Sequence, residues 1–376
     1  LLVKVLPYWL TRNMVSRAFG WYNPKLSRYV LDQLDASSYL INESGGIGHF
    51  LPGYDRMITQ GISGYMETIN EKDSDLHAAA RIACEGLSDY AGRLSGEARQ
   101  IAAVETDPVR KQDLLEIARI CAKVPLEPAE TLQEALQSLW FTHMAVCLEG
   151  LNSAVSFGRI DQYLYPFYKA DLEAGSIDRN RAMELLLCFS AKTTEHMFLL
   201  SSRVSEYHGG YLVAQAATVG GVDSNGNDAV NDLTWLFLDV MELAGLRDPN
   251  YMARISEISP EPYVKRAVEV ACKGNAVPGL FNDEATIAAL TAHGYPVEEA
   301  RDYGVVGCVE PTMPGRSFCS TDAALFNLPM CLILALNNGR KPGKRFRTGA
   351  KTPDPSLFRS MEDIISAFTY QVEHMV

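Results

Sequence analysis

Tyr303-Gly304-Val305-Val306-Gly307-Cys308-Val309-Glu310-Pro311 reads as a short apolar strand that ends in glycine and delivers a thiol and a carboxylate two residues apart. Pro311, Pro314 and Gly315 prevent either regular element from continuing. In an extended backbone, residues i and i+2 project from one face, so Cys308 and Glu310 are expected to share a pocket. The end of a barrel strand is a usual place for such a pocket. A nucleophilic cysteine wants a cation nearby to favour its thiolate. In this stretch the adjacent acid–base group is an anion and the neighbours Val305, Val306 and Val309 are apolar, which favours the protonated thiol. Such a thiol suits donation of a hydrogen atom, and a desolvated carboxylate beside it suits general-base work.

Outward from this stretch, short apolar runs precede helical patterns: Ala154–Phe157, Tyr211–Val219, Tyr251–Ile255, Val277–Phe281 and Tyr303–Val306. The intervening helices are expected near 178–203, 228–246, 260–274, 284–293 and 297–302. Strands alternating with helices predict βαβ units around a parallel sheet or barrel, an α/β fold. Before about residue 150 the patterns are helical, at roughly 73–95, 96–124 and 128–147, and these helices are expected to coat the barrel. A helix over 323–337 with Asp322 as its N-cap follows the cysteine stretch. Its run Leu328, Leu332 and Leu336 has core spacing around Cys331.

Of the 376 residues, 47% are apolar and 21% charged, enough for a large core and too little polarity for long disorder. A net charge of −12 argues against nucleic acid as a partner. The basic run Arg340–Arg347 reads as a solvated surface loop. Eight cysteines lie apart with no CxxC pair, so no zinc or iron–sulfur site is signalled and a reducing cytoplasm fits. Cys121, Cys147, Cys188 and Cys272 fall in apolar helical patterns and are expected to be buried. No apolar run reaches the roughly 18 residues of a membrane span. The chain opens at Leu1 without an initiator methionine and ends at Val376 within an amphipathic pattern (Ile364, Ile365, Phe368, Val372). It is therefore expected to be a piece of a longer protein, cut at both ends.

The run Gly307–Pro311, with Pro314-Gly315-Arg316 and Thr321–Asn327 after it, resembles the glycyl radical enzyme family, a pyruvate formate-lyase-like group. The similarity is to the branch of glycerol dehydratase, choline trimethylamine-lyase, hydroxyproline dehydratase and arylacetate decarboxylase. Upstream, Gly48-His49, Gly158–Tyr163 and Phe281–Glu284 also resemble the family, over nearly the whole chain. The resemblance implies half of a ten-stranded α/β barrel behind an N-terminal helical layer: helices to about 150, strands and cysteine loop over about 151–340, all one partial domain. It implies that Cys308 becomes a thiyl radical and that Glu310 takes the substrate's hydroxyl proton. The radical originates on a glycine near the C-terminus, in an Arg-Val-x-Gly-Tyr-like loop that this sequence lacks. An iron–sulfur activating enzyme installs it with S-adenosylmethionine, and no cofactor is bound directly. Further implications are a homodimer and a small-molecule substrate.

The resemblance also gives a substrate-binding set. His49 stands where dehydratases place a proton donor to the leaving group. Ser153 occupies a position that varies with substrate, and Asp322 falls where a substrate hydroxyl is bound, preceded by Thr321. Gln215, on the second strand, is a further candidate with an equal structural reading. Pyruvate formate-lyase itself has two adjacent cysteines, whereas Gly307 and Val309 flank Cys308, so acyl transfer is not supported. Elimination from a hydroxylated substrate is the leading expectation. Radical decarboxylation or radical addition, a non-catalytic partial copy acting in assembly, and a Cys–His thiolate enzyme stand as alternatives.

Overall fold

The computed structural model describes residues 49–70, 74–149, 154–196, 213–274, 276–317, 327–345 and 347–375. The chain divides into two units, Gly46–Thr321 and a second made of Leu1–Gly45 with Asp322–Val376. The first opens with four helices: α1 (Tyr54–Asn70), α2 (Asp75–Val104), α3 (Pro108–Lys123) and α4 (Leu132–Leu148). The two helices expected over 73–124 divide at residue 105, not at 95. Asp107 caps the backbone N–H groups of Val109 and Arg110 and Pro108 occupies the first turn, so the break falls where both signals coincide. Helix α1 is kinked at Gly61, where Ile62 and Ser63 donate to the carbonyls of Pro125 and Leu126.

A parallel sheet follows, in the order β1 (Gly158–Arg159), β2 (Ala216–Gly220), β3 (Asn250–Ile255), β4 (Gly279–Asn282). Helices α5 (Ile160–Ala174) and α6 (Arg179–Thr193) connect β1 to β2, α7 (Asp232–Ala244) connects β2 to β3, and α8 (Glu261–Ala271) connects β3 to β4. Helix α5 has no counterpart among the sequence patterns, because Pro166 and scattered tyrosines mask its period. After β4 come α9 (Asp283–Ala292) and α10 (Val297–Arg301). One core joins both layers: Tyr54, Ile58, Leu132 and Leu139 pack with Val219, Phe237, Tyr251 and Ala253. Strand β2 is buried along its whole length, which its small residues Ala216, Ala217 and Gly220 permit.

The fifth expected strand does not extend this sheet. β5 (Gly304–Val306) pairs antiparallel with β6 (Glu310–Thr312), making a hairpin. Its root is fixed by a buried ion pair. Arg254, with no exposed surface, meets Asp283 through two hydrogen bonds, Nε to Oδ1 at 2.8 Å and Nη2 to Oδ2 at 2.9 Å. The same guanidinium donates to the carbonyls of Tyr303 and Arg301 and stacks over the Tyr303 ring, whose hydroxyl donates to Asp283. Above it, the Val305 N–H donates to Thr218 Oγ1 on β2.

In the second unit, α11 (Leu328–Ala335) and α12 (Met361–Met375) pack together, and the Gln371 amide clamps both polar groups of Ala350. Asn327 caps α11; the expected cap at Asp322 lies outside the described residues. The buried face of α11 is Cys331, Leu334 and Ala335, while Leu328, Leu332 and Leu336 are exposed, one helical position off the expected stripe. Of the cysteines expected inside, Cys121 and Cys147 are buried, whereas Cys188 and Cys272 are exposed. Cys272 is the C-cap of α8, where the apolar face has already ended. The basic run around residue 340 is mostly exposed. No described helix is long and apolar enough to cross a membrane.

Removing one partner of a buried pair leaves an uncompensated charge, so Asp283→Ala is expected to lower stability by about 3–5 kcal/mol in urea unfolding. His143, on α4, gives a second prediction. Burial first, then the neighbouring His196, hold its imidazole down at about 3 from an ordinary 6.5, against the Gln215 hydrogen bond. The unfolded chain takes a proton below that ordinary value and the folded one does not. Stability should therefore fall as pH drops from 6.5 towards 3, at up to about 1.4 kcal/mol per pH unit from this group. The urea midpoint should drop between pH 7 and pH 5, and His143→Gln, weaker at pH 7, should show a shallower drop.

Candidate active site

The hairpin tip is Gly307-Cys308-Val309, a turn between β5 and β6. Gly307 has φ +57°, a left-handed conformation that reverses the chain. A Cβ at this position would sit 3.1 Å from Ala154 Cβ, 3.1 Å from Glu310 Oε2 and 3.2 Å from His49 Cδ2. Glycine is thus favoured by conformation, and a side chain here would have to displace its neighbours slightly. Beneath the tip, Leu51, Ala154 and Val306 form a small buried cluster, with Ala214 against it.

Because the chain turns at Gly307, the extended i, i+2 relation expected for Cys308 and Glu310 does not apply. The carboxylate instead folds back over the turn. Its Oε2 accepts from the N–H groups of Cys308 at 3.1 Å and Val309 at 3.0 Å. Its other oxygen lies 3.8 Å from His49 Nε2. His49 is only 6% exposed and has φ +51°, a left-handed conformation uncommon outside glycine. It is held there because the next residue, Phe50, bridges to Val155 and accepts the Ser156 N–H.

The arrangement can therefore present a thiol-bearing residue, a carboxylate seated on its own loop's amides, and an imidazole facing that carboxylate. The apolar surroundings expected for Cys308 are not formed by the described residues: Cys308 is exposed, and Val309 is 65% exposed. Of the predicted site residues, Cys308, Glu310 and His49 come together. Ser153, Thr321 and Asp322 lie outside the described residues. Gln215 is fully buried and turned away to the helices, where its amide bonds His143, His196 and the Thr193 carbonyl.

That last cluster has the look of a ligand set, since His143, Cys147 and His196 offer donor atoms within 4.8 Å of one another. The hydrogen bonds argue otherwise. Gln215 Oε1 can only accept, so His143 Nε2 and His196 Nδ1 both donate to it, at 2.7 and 3.2 Å. Tyr54 then donates to His143 Nδ1 at 2.6 Å. Both ring nitrogens of His143 are engaged in a satisfied buried network. A groove of about 560 Å³ between α2, α3, α4 and α6 is lined by apolar side chains such as Ile101, Ile117 and Trp140, and by none of the predicted site residues.

Sequence reasoning missed the residues that build the loop's support. Asp283 and Arg159 lie inside the family-like segments 281–284 and 158–163, but their roles are structural: Asp283 pairs with Arg254, and Arg159 bonds Asp302 and the Gly220 carbonyl. Ser156 and Asn250 carry no sequence signal at all; each bonds a backbone group of Gly307.

A family model described as pyruvate formate lyase-like matches residues 1–376. Among curated proteins, the isethionate sulfite-lyase of Oleidesulfovibrio alaskensis is 35% identical over 361 residues, covering 90% of this chain and 43% of that protein. The trans-4-hydroxy-L-proline dehydratase of Clostridioides difficile is 36% identical over 314 residues, covering 81% and 39%. Among solved structures, a glycyl radical enzyme from Archaeoglobus fulgidus superposes with a TM-score of 0.88 at 35% identity, covering 98% of this chain and 48% of that one. The chain thus spans about half the length of the relatives it matches. Its parallel sheet and cysteine hairpin are the portion of the α/β barrel that such a span carries. With the family model matched from end to end and these relatives at a third identity or more, the chain belongs to the pyruvate formate-lyase-like family of glycyl radical enzymes.

Proposed function

We propose that this chain is the catalytic-cysteine portion of a radical lyase that eliminates a leaving group from a small hydroxylated substrate. The observation that supports this most is the seating of Glu310: one oxygen is bound by the Cys308 and Val309 amides, and the other faces His49. A base and an acid thereby flank the cysteine. The names of the two curated relatives, a sulfite-lyase and a dehydratase, agree with elimination.

A glycyl radical elsewhere in the whole protein would supply the unpaired electron. The exposed tip at Cys308 and Val309 is compatible with the approach of such a loop. Cys308, as thiyl, takes a hydrogen atom from the carbon bearing the substrate hydroxyl. Glu310 removes the hydroxyl proton, which turns that carbon radical into a ketyl and strengthens its push on the neighbouring carbon. The bond from that carbon to the leaving group breaks and the leaving group departs with the electron pair. Where the leaving group is hydroxide, His49 protonates it to water. The carbonyl-bearing radical left behind takes the hydrogen atom back from the Cys308 thiol, and the thiyl is restored. A substrate-binding role for Ser153, Thr321 and Asp322, activation by an S-adenosylmethionine iron–sulfur enzyme, and a homodimeric state belong to the same proposal.

The test is anaerobic activation of the whole protein, with the radical followed by electron spin resonance and products followed over isethionate, trans-4-hydroxy-L-proline and vicinal diols. A carbonyl or dehydrated product from one of these is expected. Cys308→Ser should abolish turnover, and Glu310→Gln should lower kcat by about 10²–10⁴-fold while leaving the resonance signal intact. Carbon dioxide release from an arylacetate, with no elimination product, would instead support a decarboxylase. Turnover unaffected by Glu310→Gln would remove the carboxylate from the mechanism. Fast, selective alkylation of Cys308 by iodoacetamide at neutral pH would point to a thiolate enzyme.

A further inference from the structure

The two peptide groups that flank the Gly307 Cα, 306–307 and 307–308, are each held by one side chain. The Gly307 N–H donates to Ser156 Oγ at 3.1 Å, and the Gly307 carbonyl accepts from Asn250 Nδ2 at 3.0 Å. Ser156 is completely buried. Its hydroxyl donates to the Ala154 carbonyl at 3.0 Å and accepts the Ala216 N–H at 3.0 Å as well as that of Gly307. One donor and two acceptor sites exhaust a serine hydroxyl, so its rotor has one satisfactory setting. Asn250 is equally anchored. It opens β3 opposite Ala216 of β2, and its own N–H donates to the Gln215 carbonyl at 3.0 Å. Both holding groups therefore hang from the same rung of the parallel sheet.

We propose that Ser156 and Asn250 are positioning residues that clamp the two peptides on either side of Gly307 and so fix where Cys308 and Glu310 stand. The proposal rests on the radical-lyase reading only for its catalytic consequence. Glycine at +57° has easy access to other conformations. A flip of the 307–308 peptide would turn the Cys308 backbone and dislodge its N–H from Glu310. The carboxylate would then lose one of the two donors that seat it beside His49. Neither residue touches the reacting atoms in this account. Their effect passes through the backbone of Gly307, and displacements of about 1 Å in such geometry can cost about 10²-fold in rate.

The first readout needs no activity. Amide hydrogen exchange in the 376-residue chain should show Gly307 and Cys308 protected. Asn250→Ala and Ser156→Ala should each speed exchange at these two amides by about ten-fold, the loss of one net hydrogen bond, with exchange in α7 unchanged. Unchanged exchange at the tip would overturn the clamp, whatever the enzyme does. In the activated whole protein, Asn250→Ala should lower kcat by about 10–10²-fold with KM within about two-fold, the mark of lost transition-state geometry and not of lost binding. Faster exchange with kcat unaltered would also overturn the positioning role. Should Ser156→Ala fail to fold, Asn250→Ala carries both readouts. If the unaltered whole protein shows no turnover, the radical-lyase reading fails and the clamp is judged by exchange alone.

Discussion

The cysteine hairpin stands on a buried guanidinium–carboxylate pair. Arg254 from β3 and Asp283 from the start of α9 meet through two hydrogen bonds, and the remaining guanidinium donors reach the carbonyls of Arg301 and Tyr303. Charges this deep are tolerated because each of the three guanidinium nitrogens has an acceptor, and paired charge-assisted bonds set geometry as well as energy. The pair ties the sheet to the residues that enter β5. Gly221 shows how tightly the surroundings fit: a Cβ there would come within 2.6 Å of Arg254 Nε and 2.7 Å of Asp283 Oδ2. A hairpin of three-residue strands could not hold one orientation alone; fixed at its root, it can aim its tip.

What the tip offers follows from that rigidity. Glu310 is held by amides of the turn it flanks, so the carboxylate is seated on the cysteine's own loop. His49 reaches the same carboxylate from a distant part of the sequence, on a backbone kept left-handed by the Phe50–Val155 bridge. Pre-organised groups of this kind lose little freedom when the reaction begins, which is where positioned acid–base pairs gain their advantage. The exposure of Cys308 is compatible with that view, since the relatives are about twice as long as this chain.

Much of this was legible in the sequence, because period and punctuation are local signals. The apolar runs expected over 211–219, 251–255 and 277–281 overlap the strands found at 216–220, 250–255 and 279–282, and glycine and proline mark most boundaries. Cys308, Glu310 and His49 were found by their resemblance to a family motif, and the three do converge. The hairpin was not legible. Pro311 reads as a strand breaker, yet it pairs with Val305 in a short edge strand, where a missing N–H is tolerated. Ser156 and Asn250 were invisible because their partners lie 151 and 57 residues away; a hydroxyl and an amide become informative only once the fold brings Gly307 to them. The burial of Gln215 was undecidable for the same reason: alternation along a strand gives two faces and does not say which one helices cover.

Tracking a labelled hydrogen atom tests the central claim most directly. In the activated whole protein, a substrate carrying deuterium on its hydroxyl-bearing carbon should react with a primary isotope effect, and the label should reappear in product on the neighbouring carbon after passing through the Cys308 thiol. Turnover with no isotope effect, or label transfer that survives Cys308→Ser, would contradict the account.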